Sequence, residues 1–201
     1  MPQNYEEFTR RIRDYAGLAE VNEYARVVEG GVEYPLFRLT VPGERWLVIT
    51  SGFHGEEPAG PLTLSHHFEQ VVAYARERGV GLRVYPCINP SGFEDGTRYN
   101  RGGEKINNDF MRYVMPDGSL KGELQRDEAF ARWTLFDGGP KETRAVRADI
   151  VRHPAPAAAL DIHQDNYIPG AHTYAYVFGE DRKSTRLNSS HSGESRMPSS
   201  A

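Results

Sequence analysis

Cysteine is almost missing. Cys87 stands alone in 201 residues, which excludes an intramolecular disulfide framework and a cysteine-rich zinc module. Long hydrophobic runs are missing too. Apolar stretches such as residues 46–50 fall far short of the roughly 20 residues that a membrane-spanning helix needs. Residues 1–17 have no basic start followed by an apolar segment, so no secretory leader is expected. Basic clusters are also lacking. With 24 Lys and Arg against 28 Asp and Glu, the formal net charge is −4, which argues against a nucleic-acid partner. These absences leave the expectation of a cytoplasmic protein with no membrane association. What is present is enough apolar material for a core: 38% hydrophobic residues, including eleven Tyr, nine Phe and two Trp. At this length that suits one domain of ordinary size.

The character of the chain changes at Asp181. Residues 181–201 contain no Phe, Tyr, Trp, Ile or Val and are rich in serine, a composition that cannot offset the entropy of ordering. Residues 181–191 and 195–201 also back-translate, in frame and in order, to the two ends of a common short-read sequencing adapter. The expectation is therefore a natural portion in residues 1–180 and a non-native, disordered tail in 181–201, with the reading frame cut before the gene ends. Without the four basic and two acidic residues of that tail, the net charge becomes −6.

Periodicity places elements on residues 1–180. Phe8, Ile12, Tyr15 and Leu18 recur at helical spacing, which predicts an amphipathic helix over residues 5–18. Residues 23–28 and 32–41 flank Gly30-Gly31, a hairpin signal. Residues 45–51 and 81–89 read as strands, and residues 60–78 as a helix opened by Pro58. Residues 90–103 read as a loop, residues 123–136 and 141–153 as helices, and residues 158–163 and 173–178 as strands. Strands alternating with helices predict an α/β layered fold.

Polar residues gather after three predicted strands: SGFHGEEPAG, INPSGFEDGTRYNRGGEKINNDF and LDIHQD. Strand ends are where α/β sheets build their sites. His54 and Glu57, three residues apart at such an end, can converge on one metal ion. Zinc takes nitrogen and oxygen donors and leaves a position open for water. A third donor has to come from elsewhere, and His163 is the best candidate. Taken alone, His54-x-x-Glu57 reads more readily as an ordinary loop pair or helix cap, and His163 alone is a similarly weak signal.

The ordered set His-x-x-Glu, Asn-Pro-x-Gly, Arg-x-Asn and strand–His resembles the zinc carboxypeptidase family, whose relatives include succinylglutamate desuccinylase and aspartoacylase. The resemblance runs over roughly residues 20–180. It implies a three-layer α/β/α fold with a mixed, mostly parallel sheet, incomplete at its C-terminal side, in which residues 1–180 are the N-terminal portion of a catalytic domain. It implies one Zn2+ per chain held by His54, Glu57 and His163. Arg98 matches the arginine that stabilises the oxyanion, and Asn107 the asparagine that helps hold the substrate. The implied activity is zinc-assisted hydrolysis of a peptide or amide bond in a peptide or acyl-amino-acid substrate. The rivals are an N-acyl amino acid deacylase and a non-catalytic zinc- or ligand-binding domain.

Two positions depart from the family pattern. Asn108 stands where an arginine is usual, and an amide cannot replace the charge with which a guanidinium grips a carboxylate. Arg101 or Arg112 is a candidate to supply it. Lys105 stands where an aspartate usually orients a zinc-bound histidine, so Glu104 or Asp109 is a candidate for that duty. The family's general-base glutamate belongs well beyond the last histidine. The chain is therefore expected to be an inactive fragment that lacks it.

Other reactive residues read as ordinary. His66 and His67 fit an exposed helix face, His153 a helix end before Pro154, and His172 a loop. Cys87 fits a strand core. Ser51 lacks the Gly-x-Ser-x-Gly turn of a nucleophile. Strand alternation sets Asp161 on the same face as His163, where it can support the histidine.

Overall fold

Gly30 and Gly31 have φ of 58° and 80°, backbone angles that suit glycine. They turn β1 (Glu20–Glu29) back along β2 (Val32–Val41), antiparallel, with Glu29 opposite Val32. The computed structural model describes residues 2–164, apart from residues 108, 109, 123 and 126. Within them β1 and β2 join β3 (Arg45–Ser51), β4 (Val80–Tyr85) and β8 (Ala158–Ile162) in one sheet ordered β1-β2-β4-β3-β8. β2 runs antiparallel to β4, whereas β3 runs parallel to both β4 and β8. The sheet is mixed, as expected, with its parallel half around β3.

Helices cover both faces. α1 (Tyr5–Asp14) starts at Asn4, whose side chain accepts the Glu7 N–H at 2.8 Å, a standard N-cap that satisfies an otherwise orphaned donor. The helical spacing turns Phe8 and Ile12 inward beside Leu64, Phe68 and Val72 of α2 (Ala59–Glu77). These pack on Leu39, Val41, Ile49, Leu82 and Val84 of the sheet. Side chains of a strand alternate between faces, so Val48 and Tyr85 point the other way. There they meet Val146 and Ile150 of α4 (Lys141–Val151). A buried polar tie fixes α4 to the sheet. Arg38 Nη1 reaches Asp149 Oδ2 at 2.6 Å, and the Tyr85 hydroxyl donates to the same oxygen at 2.8 Å.

Two segments differ from expectation. Residues 90–103 include a short helix, α3 (Pro90–Asp95), because Asn89 caps it, Pro90 preorganises its first turn and Gly96 (φ 67°) ends it. Among the described residues of 123–136 there is no helix. Instead β5 (Met111–Val114) is flanked by β6 (Leu120–Lys121) and β7 (Arg132–Leu135) in a separate antiparallel sheet. Trp133 pairs with Tyr113 and Leu135 with Met111. Cross-strand partners of this aromatic and apolar kind override a weak helical pattern. The strand expected over residues 173–178, His172 and the tail over residues 181–201 lie outside the described residues. Among the described residues no helix is long and apolar enough to cross a membrane.

Candidate metal centre

The C-terminal ends of β3 and β8 lie side by side, with Thr50 opposite Asp161 and Ser51 opposite Ile162. Just past Ser51, Gly52 takes φ 69° and turns the chain away from the sheet. A side chain there would crowd Pro61 and Cys87. Three residues on, Gly55 packs so closely on α3 that a Cβ would run into the Gly92 backbone. The loop between β3 and α2 is thereby pressed into one path, and it carries His54 and Glu57. His163 follows β8 directly.

These three residues converge. His54 Nδ1 is 2.7 Å from Glu57 Oε1, and His163 Nδ1 is 2.9 Å from Glu57 Oε2. One donor atom from each residue can be chosen so that all lie within 4.8 Å of one another. The two imidazole rings are 5.0 Å apart between centroids. Two ring nitrogens and one carboxylate oxygen form a donor set suited to zinc with a position left for water. The side chains of His54 and Glu57 keep 12% and 10% of their exposure, whereas His163 keeps 34%, so the cluster opens to solvent on the His163 side. The donor set and this one-sided access fit a bound metal.

Electrostatics agree with the geometry. Burial opposes the charge on Glu57, but hydrogen bonds from His163, His54 and the Gln164 N–H outweigh it and hold the carboxyl down to about 2. Asp161, then Glu57, push His163 up to about 10. The carboxylate is therefore ionised across the neutral range. Asp161 Oδ2 lies 2.8 Å from His163 Nε2 and leaves Nδ1 facing Glu57. Glu104 does not take that duty, being bonded to the Asn100 amide at 2.9 Å. Asp109 lies outside the described residues.

Arg98 is brought to the cluster. Its Nη1 lies 3.0 Å from Glu56 Oε1 and 3.7 Å from Glu57 Oε1, with 47% of the side chain exposed. Asn107 is half-buried, and no hydrogen bond or ion pair among the described residues ties it to the cluster. Arg101 is committed elsewhere, donating to Asp95 at 2.6 Å and to Glu94 at 3.2 Å. Arg112 lies over the Phe136 ring, 3.6 Å from its centroid.

Sequence reasoning gave Asn89 no role beyond its motif and overlooked Glu56. Fully buried, Asn89 donates through Nδ2 to the Phe53 carbonyl at 3.2 Å and the Arg98 carbonyl at 3.4 Å. Its Oδ1 accepts the Gly92 N–H at 3.0 Å. One amide thus joins the loop bearing His54 to the loop bearing Arg98. The available signal was the Asn-Pro-x-Gly sequence, a cap followed by a helix start.

The remaining candidates behave as ordinary residues. His66 and His67 are exposed on α2, and His153 closes α4 with Nε2 against Arg38. Cys87 is buried, and burial pushes its thiol far up. Ser51 is fully buried, and among the described residues its hydroxyl has no hydrogen-bond partner.

No family model matches the chain, and no curated protein sequence does. Solved structures do. A candidate metallopeptidase from Shewanella amazonensis superposes with a TM-score of 0.53 at 26% identity, over 80% of this chain and 55% of its own. A metallo-carboxypeptidase from Burkholderia cenocepacia gives 0.61 at 20% identity, over 84% and 43%. One from Pseudomonas aeruginosa, in complex with (2-guanidinoethylmercapto)succinic acid, gives 0.58 at 20%, over 84% and 41%. The chain spans about half the length of these structures, and its fold is the one they share over that half.

Proposed function

We propose that the chain carries the metal-binding half of a zinc-dependent, carboxypeptidase-like hydrolase acting on a peptide or amide bond. The observation that carries this reading is the convergence of His54, Glu57 and His163, with Arg98 beside them, at the adjoining ends of two parallel strands. The likeness to metallo-carboxypeptidase structures supports it.

A zinc ion bound here supplies Lewis-acid polarisation of a carbonyl and a lowered pKa for water. The other parts belong to the chain. Glu57 contributes one negative charge and two oxygens in a largely buried setting. His163 presents Nδ1 to the site because Asp161 occupies Nε2. Arg98 places a permanent positive charge next to the donor set. There it can stabilise the negative charge that develops on a substrate oxygen, an interaction strongest in the transition state. Asn107 is assigned to substrate binding. None of the described residues is assigned as the general base, and hydrolysis is proposed to need the further length that the similar structures possess.

The experiment compares the 201-residue chain with a version extended by the natural downstream sequence. Both are assayed for zinc content and for release of amino acid from blocked dipeptides and N-acyl amino acids. The reading expects zinc in both and hydrolysis only in the longer form, abolished by His54→Ala. Zinc-independent hydrolysis, or none in the zinc-loaded longer form, contradicts it.

A further inference from the structure

We infer that Thr50 and Asp161 form a positioning relay that holds His163 with Nδ1 turned toward Glu57, so that the β3–β8 register sets the orientation of one donor of the candidate metal centre. The inference rests on the metal reading above and assigns roles to two further residues. Both are positioning residues, acting through His163.

Thr50 and Asp161 are register partners in the parallel β3–β8 pair, so their side chains rise from the same face of adjoining strands. The Thr50 hydroxyl donates to Asp161 Oδ1 at 2.9 Å. The other carboxylate oxygen, Oδ2, lies 2.8 Å from His163 Nε2. Each oxygen of Asp161 thus has its own partner, one on the neighbouring strand and one on the histidine. With Nε2 engaged, the nitrogen left to the site is Nδ1, 2.9 Å from Glu57 Oε2. A histidine that donates one ring N–H to a carboxylate is fixed in tautomer and orientation, the usual support for a metal-bound imidazole.

The plainer alternative is a surface pair of little consequence, because Asp161 keeps 39% of its side-chain exposure and exposed pairs contribute little to stability. One observation favours the relay. A pair alone needs no third member, yet the Thr50 hydroxyl pins the carboxylate from a different strand.

The test uses the 201-residue chain. Zinc affinity is measured by competition with a chromophoric chelator, and the Co2+ absorption spectrum reports the donor geometry. Asp161→Ala is expected to weaken zinc binding about 10–100-fold and to alter the cobalt spectrum. Asp161→Asn, whose amide oxygen still accepts from Nε2, should restore part of the loss. Thr50→Val removes only the hydroxyl. It should give a smaller loss on its own and no further loss in the Asp161→Ala background. Should Asp161→Ala fail to fold by circular dichroism, Thr50→Val carries the decision. Wild-type affinity and spectrum in both variants, with binding lost in His163→Ala, overturns the relay while leaving the metal reading intact. A wild-type chain that binds no zinc overturns both.

Discussion

Glu57 and His163 stand 106 residues apart in the sequence, and their side chains meet at 2.9 Å. Strand pairing delivers this contact. β3 and β8 run parallel and end together, so the loop after one and the first residue after the other open onto the same spot. The backbone seals the junction. The Gln164 N–H donates to Glu57 Oε2 at 3.1 Å, and the Gln164 side chain accepts the Ala59 N–H at the start of α2 at 3.2 Å. A carboxylate fixed from so many sides is placed before any ion arrives, which lowers the cost of assembling the site.

Removing only the charge of Glu57 separates geometry from electrostatics. Glu57→Gln keeps the shape and can still meet both histidines, but the donor set loses its anion. Zinc affinity should fall by more than the roughly 10–100-fold typical for loss of a supporting residue. Chelator competition reads the change, and an affinity within threefold of wild type would deny Glu57 a place in the site.

Arg98 should separate binding from turnover. It approaches Glu57 no closer than 3.7 Å and is half-exposed, so Arg98→Ala should leave zinc content unchanged. In the extended form, kcat for amide hydrolysis should fall about 10²–10³-fold, the usual cost of losing one oxyanion donor. An unaltered kcat would make Arg98 a structural partner of Glu56.

Asn89→Ala should damage stability and site together. It orphans the Phe53 carbonyl and the Gly92 N–H in a fully buried setting. Each unsatisfied buried group costs about 1–3 kcal/mol, which for a chain of this size corresponds to a Tm lower by roughly 3–10 °C. Zinc affinity should weaken alongside. An unchanged Tm would show that the two loops hold their places without this amide.

Glu142, which is not one of the candidate donors, gives a pH signature of its own. Its side chain is fully buried, and burial pushes its carboxyl above its ordinary 4.5. The folded state then binds this proton more tightly than the unfolded state. The stability it contributes is present below the ordinary value and lost as pH rises through the raised one. Glu142→Gln cannot ionise and still accepts from Asn100. Relative to wild type its Tm should rise between pH 4 and pH 7.5. A constant difference across that range would mean that Glu142 titrates alike in both states.

Much of this arrangement could be read in the chain itself. The hairpin at Gly30-Gly31, the strand over residues 45–51 and the long helix after Pro58 each carry a strong local signal: glycine pair, apolar run, helical period. The helix expected over residues 123–136 misled because the apolar spacing there is weak, and β7 within that range depends on pairing with β5, well upstream in the chain. His54 and Glu57 are legible because they lie three positions apart. Their meeting with His163 depends on a parallel crossover, which local spacing cannot reveal, and the resemblance to a family supplied it. Asn89 escaped assignment since a buried amide bonding to distant carbonyls leaves no trace in composition. Glu56 escaped because its partner Arg98 comes from a loop 42 residues away.

The proposed metal centre is tested at its root by the zinc bound per chain. Purified wild-type protein, stripped of metal and dialysed against limiting zinc, is compared by elemental analysis with His54→Ala, Glu57→Ala and His163→Ala, and with His66→Ala as the control. One zinc per chain is expected in wild type and in His66→Ala, and substoichiometric metal in the other three. No zinc in the wild type, or full zinc in all three site variants, would overturn the proposed metal centre.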